Sequence, residues 1–133
     1  MVDIIALVMV LLSLVQGPLI AEGKATHYCQ DCPRAMHNVI PNRWKWDQVE
    51  LSHTDVGYVA LADCGRLGER VVIELPDGRL IGPLLVADCG ATKDQEHLEK
   101  IGFAVDLSWE LAVELDTVYD VIHGVRVYEW RGE

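Results

Sequence analysis

From Gly23 to Trp130 the apolar residues come in short runs, each closed by an aspartate, a glycine or a proline. Val56-Gly57-Tyr58-Val59-Ala60-Leu61-Ala62-Asp63, Val71 to Leu75, Arg79 to Ile81 and Leu84-Leu85-Val86-Ala87-Asp88 have the length and the β-branched content of strands. So have Gly102-Phe103-Ala104-Val105-Asp106 and the alternating Gly124-Val125-Arg126-Val127-Tyr128-Glu129-Trp130, while Gly23 to Tyr28 supplies a first strand. Pro76-Asp77-Gly78 joins the two middle runs as a hairpin turn. Only Ser108 to Leu115 has another rhythm: Ser108 is a helix N-cap, Glu110 lies in the first turn, and Leu107, Leu111 and Leu115 recur at helical spacing. Six or seven strands with one short helix and no βαβ alternation predict a mainly β fold, a small barrel.

The chain has room for one such domain. Its 133 residues begin with an uncharged apolar stretch, Ile4 to Ala21, that predicts an apolar leader helix. Residues 1–22 then form a signal peptide or membrane anchor and 23–133 the barrel, which places the domain outside the cytoplasm, whether secreted, periplasmic or membrane-anchored. Leu19-Ile20-Ala21 is the candidate cleavage site, although Asp3 stands where an export signal normally carries positive charge. Twenty-one acidic against eleven basic side chains give a net charge of −10, which repels nucleic acid and anionic lipid alike. Membrane contact is thus expected only through an uncleaved leader, and the barrel itself is read as a monomer.

Four cysteines sharpen the question of compartment. In an oxidising environment Cys29, Cys32, Cys64 and Cys89 form two disulfides, with three possible pairings. Cys29-Gln30-Asp31-Cys32 also has the spacing of half a zinc site, with His27 close by, but Cys64 and Cys89 supply no second knuckle. Disulfides are preferred, and no cofactor or metal is assigned. The segment from Pro33 to Thr54 lacks periodicity and reads as a long loop carrying Trp44 and Trp46, whose period-2 spacing puts both rings on one face.

The order of these motifs resembles the double-psi β-barrel of the RlpA-like, expansin-like and 3D-domain group. The resemblance covers about Gly23 to Trp130. It rests on a Gly-x-Ala-Thr-x-Tyr opening ending at Tyr28, on Cys64-Gly65-Arg66-Leu67-Gly68-Glu69-Arg70-Val71 before the Asp77-Gly78 hairpin, on Val86-Ala87-Asp88-Cys89-Gly90, and on Val105-Asp106-Leu107-Ser108 before a helix. It implies a six-stranded barrel with a polysaccharide groove, whose members cut, bind or loosen cell walls. Residue by residue it assigns Asp88 and Asp106 to the family's aspartates, with Asp63 a looser third. It implies a Cys64–Cys89 disulfide, leaving Cys29 and Cys32 as the second. The histidine that RlpA-like enzymes carry before the turn is replaced here by Leu61-Ala62-Asp63.

The implied substrate is cell-wall polysaccharide, peptidoglycan first, cleaved as by a lytic transglycosylase or a glycosidase. Breaking a glycosidic bond needs a carboxyl that stays protonated near neutral pH. Hydrolysis needs a second carboxylate, whereas a transglycosylase manages with one acid/base because the sugar's own hydroxyl attacks. Asp106 is the candidate acid/base, Asp88 the partner that perturbs or orients it, and Asp63 the reserve. Tyr28, His27, Trp44, Trp46 and His53 are the candidate substrate-binding residues. The alternatives are a non-catalytic wall-glycan-binding module of the same fold and a structural component of an envelope or virion.

Overall fold

A two-residue period decides which side chains fill the barrel. The computed structural model describes residues 16–28, 56–89 and 92–132, with only the backbone given for 92–95. Its strands are β1 (Gln16–His27), β2 (Gly57–Leu61), β3 (Arg70–Glu74), β4 (Leu80–Cys89), β5 (Phe103–Leu107) and β6 (Ile122–Trp130). Val59 and Leu61 of β2, Val71 and Ile73 of β3, Leu84 and Val86 of β4, Val105 and Leu107 of β5, and Val125 and Val127 of β6 share one buried cluster. They alternate with residues on the outer face, some of which, Val72 and Leu85 among them, are covered as well. The barrel interior is therefore packed side chain.

The ring closes in the order β1-β5-β2-β4-β3-β6, with β6 returning to β1. The β1–β5 and β2–β4 pairs are parallel, and β2–β5, β3–β4, β3–β6 and β1–β6 are antiparallel. Exchanging the first three strands with the last three (β1 with β4, β2 with β5, β3 with β6) reproduces the same ring, parallel pairs included. The strand order thus has a two-fold pseudosymmetry that relates β2 to β5, the pair between the two parallel ladders.

Several elements differ from the sequence reading. Gln16 to Glu22, assigned above to the leader, belong to β1: Leu19 pairs with Tyr128 and Ala21 with Val127. An apolar run that ends in a strand has the same hydropathy as one that ends in a helix, so composition alone misplaces the boundary. The expected helix over the leader falls mostly on residues outside the described set. Leu80–Cys89 is one continuous strand through a cis Gly82–Pro83 bond, where Pro83 divides it in the sequence.

The described residues hold two α-helices instead of one. Besides α2 (Trp109–Glu114), capped by Ser108 whose hydroxyl accepts from the Leu111 amide, the charged link folds as α1 (Thr92–Lys100). α1 carries no apolar stripe that the sequence could betray, and a Glu96–Lys100 pair one turn apart braces its exposed side. It returns the chain to β5 through Gly102, whose carbonyl accepts from the Lys24 amide at 2.8 Å. A Cβ on Gly23 would collide with that same carbonyl, so the glycine that opens the Gly-x-Ala-Thr-x-Tyr motif is there to let two backbones touch.

Candidate functional site

The site forms where the two parallel ladders meet. Register places Thr26 of β1 opposite Asp106 of β5, Asp106 opposite Ala60 of β2, and Ala60 opposite Asp88 of β4. Laterally paired residues share a face, so these four make one row across the outside of the barrel. The two-fold exchange maps the row onto itself: Thr26 corresponds to Asp88, and Asp106 to Ala60.

Asp88 owes its position to a β-bulge. Leu84 and Val86 point inward, and simple alternation would send Asp88 inward with them. Instead Val59 pairs with Val86 and Ala60 with Asp88, so Ala87 is an extra residue on β4. That single insertion reverses the parity and brings Asp88 to the outer face. There Tyr28, Tyr58 and Leu67 pack against Ala60, Leu85 and Ala87.

Cover from these rings leaves Asp88 only 3% exposed. A carboxylate so placed must be hydrogen-bonded. The Tyr28 hydroxyl donates to Oδ2 at 2.5 Å and the Cys89 amide to Oδ1 at 2.8 Å. Cys89 is itself bonded to Cys64 with Cα atoms 5.0 Å apart, the disulfide that the resemblance implies. Both sulfurs are thereby unavailable as zinc ligands. The bridge ties the end of β4 to the 3-10 turn Cys64–Arg66, directly beside the Asp88 carboxylate.

Asp106 is half-buried and has one hydrogen-bond partner among the described residues. The Thr26 hydroxyl donates to its Oδ1 at 2.9 Å, and among the described residues no donor reaches Oδ2. Burial pushes its pKa up from 3.8 to about 6, and the Asp88 carboxylate pushes the same way; the Thr26 hydrogen bond and the His27 ring pull in the opposite direction without offsetting burial. Asp106 is therefore a carboxyl that holds or yields a proton close to neutral pH. Ala60 separates it from Asp88 by a single methyl group.

Of the other sequence-predicted residues, His27 lies beside the row and Asp63 outside it. Asp63 is exposed and capped into the 3-10 turn, accepting from the Gly65 amide at 2.8 Å, with Arg66 3.9 Å away. Its carboxylate is spent on local structure, and it stays out of the row. His27 sets Nδ1 2.9 Å from the Tyr28 carbonyl and Nε2 3.1 Å from the Val118 carbonyl, with its ring edge-on to Trp109 at 5.9 Å. Both ring nitrogens are thus engaged. Trp44, Trp46, His53, Cys29 and Cys32 lie outside the described residues. Thr26 and Ala60 are the members of the row that the sequence does not single out. Thr26 stands two residues before Tyr28 in the opening motif, and that period-2 spacing is the signal for it; nothing in the sequence marks Ala60.

Comparison of the chain with protein-family models, with curated proteins and with solved structures finds no match.

Proposed function

We propose that the chain is a double-psi β-barrel enzyme that cleaves cell-wall polysaccharide, with Asp106 as its acid/base. The reading rests on one observation: a half-buried carboxyl with a pKa of about 6, one oxygen steadied by Thr26 and the other without a donor among the described residues, on the outer face of a closed barrel. The two parallel strand pairs and the two-fold order of the ring support the double-psi form.

Within that reading the site favours transglycosylation over hydrolysis. Hydrolysis by a carboxylate pair needs both groups at the sugar. Asp88 is 3% exposed and already accepts two hydrogen bonds, so it does not reach water or an anomeric carbon. Protonated Asp106 donates its proton to the glycosidic oxygen as the C–O bond breaks. The carboxylate so formed then takes the proton of the sugar's own hydroxyl as that oxygen bonds to the anomeric carbon. The proton account closes on one residue, and no water is consumed.

The direct test is clearing of peptidoglycan embedded in a gel by the purified full chain. Clearing is expected to fall as pH rises through about 6, because Asp106 must enter the reaction protonated. Asp106→Asn is expected to abolish clearing while retaining wall pull-down. A wild-type chain that pulls down wall material but never clears it would make this a binding module instead.

A further inference from the structure

Beside Asp106 lies a groove that this mechanism leaves unused, between the end of β1 and the turn that leads into β6. Thr26 and His27 form one wall, and Val118, Tyr119, Asp120 and Val121 the other. Tyr119 is 94% exposed, while Val121 next to it is 40% exposed. A phenol ring held in water at that level gains nothing from the fold, and it does not sit on a loose tether. The Thr117 amide donates to the Ala112 carbonyl at 3.0 Å, the Thr117 hydroxyl to the Asp120 carbonyl at 3.0 Å, and the Asp120 amide to the Thr117 carbonyl at 3.2 Å. The opposite wall is equally fixed, because His27 is held by the Val118 carbonyl and by the edge of Trp109. A braced backbone on both sides that presents an uncovered aromatic ring is a means of holding a ligand's apolar face.

We propose that this groove is a glycan subsite in which the face of Tyr119 stacks against one pyranose ring, placing the adjoining linkage at Asp106. The inference rests on the wall-glycan reading and deepens it. Thr26 connects the two places: it lines the groove and donates to the Asp106 carboxylate at 2.9 Å. A pyranose presents an apolar C–H face to an aromatic ring and a rim of hydroxyls to polar groups, and here Asp120 and Thr26 line the same groove as Tyr119. The ligand is a β-linked hexopyranose chain with a neutral ring at this position. At this subsite a carboxylate-bearing sugar is disfavoured by Asp120 in the wall, so the stacked ring is an uncharged one such as N-acetylglucosamine.

Titration of the full-length Asp106→Asn chain with the soluble β-1,4-linked N-acetylglucosamine hexamer, followed by calorimetry, tests the proposal without turnover. Tyr119→Ala added to this background is expected to weaken binding about tenfold and Tyr119→Trp to preserve it, with an unchanged melting temperature in both because the ring packs on nothing. Unchanged affinity in Tyr119→Ala overturns the subsite and leaves the wall-glycan reading standing. If the parent chain does not bind the hexamer the subsite fails, and if it also does not pull down intact peptidoglycan the wall-glycan reading fails with it. If Tyr119→Ala loses binding to intact peptidoglycan but keeps it to the hexamer, the groove holds a stem peptide and the glycan assignment is overturned.

Discussion

Replacing Asp106 by Asn should make the protein more stable, and only at high pH. The carboxyl has an ordinary pKa of 3.8 when the chain is unfolded and about 6 in the barrel, so folding favours its protonated form. The stability that this preference contributes is fully present below about pH 4 and is lost as pH rises through about 6. The two values lie about two pH units apart, and at ~1.4 kcal/mol per unit the loss is at most roughly 3 kcal/mol. Partial exposure of the group brings the expected figure to about 2 kcal/mol. Asn keeps an oxygen that accepts from the Thr26 hydroxyl but carries no charge to desolvate. Urea denaturation of wild type and Asp106→Asn at pH 4 and pH 8, with disulfides oxidised, isolates the effect. The two chains should differ little at pH 4, and the variant should be about 2 kcal/mol more stable at pH 8. Equal destabilisation by Asn at both pH values would refute the reasoning, because it would make Asp106 a structural acceptor instead of a charge held at a cost.

Three further outcomes follow from the same row and its supports. Ala60→Leu fills the gap between the two carboxylates on the outer face, and it should abolish clearing while leaving the far-ultraviolet circular dichroism spectrum intact. Tyr28→Phe removes the hydroxyl from the buried Asp88 carboxylate and should cost about 2 kcal/mol in urea denaturation, the range for a hydrogen bond to a buried charge. Cys64→Ser with Cys89→Ser opens a loop of 25 residues, for which chain entropy gives a loss of about 3.5 kcal/mol and a melting temperature lowered by more than ten degrees, read by calorimetry against wild type.

The interior of the barrel is the part most visible in the sequence. Val125 and Val127 announce their strand by alternation, Val71 to Ile73 theirs by β-branched content, Asp77-Gly78 their hairpin, and Ser108 the start of α2, because each depends on neighbours within a few residues. What stays hidden depends on distant partners. Leu19 and Ala21 look like leader until β6 pairs with them. α1 lacks a buried stripe, so nothing periodic marks it. At the site, the apolar runs ending in Asp88 and Asp106 are conspicuous, and the resemblance assigns both to one groove. How they come together is not conspicuous, since strict alternation turns Asp88 into the core and only the bulge at Ala87 reverses it. Asp63 is ambiguous for the complementary reason: an aspartate at a strand end serves a turn as readily as a site, and here it caps a turn. Ala60 matters by being small, and smallness carries no motif.

The two-fold order of the strands has a bearing on ancestry. If the barrel arose by joining two copies of a three-strand unit, the copies began with the same residue at the positions now held by Asp106 and Ala60, and two side chains of one kind then faced each other across the axis. Two acids there would repel, and two alanines would do no chemistry. A fused chain is free to change one copy without the other, which a symmetric pair of separate subunits is not. On this history the lone acid of the β2–β5 pair is a product of fusion, and the alanine opposite it is the vacated half of a former pair.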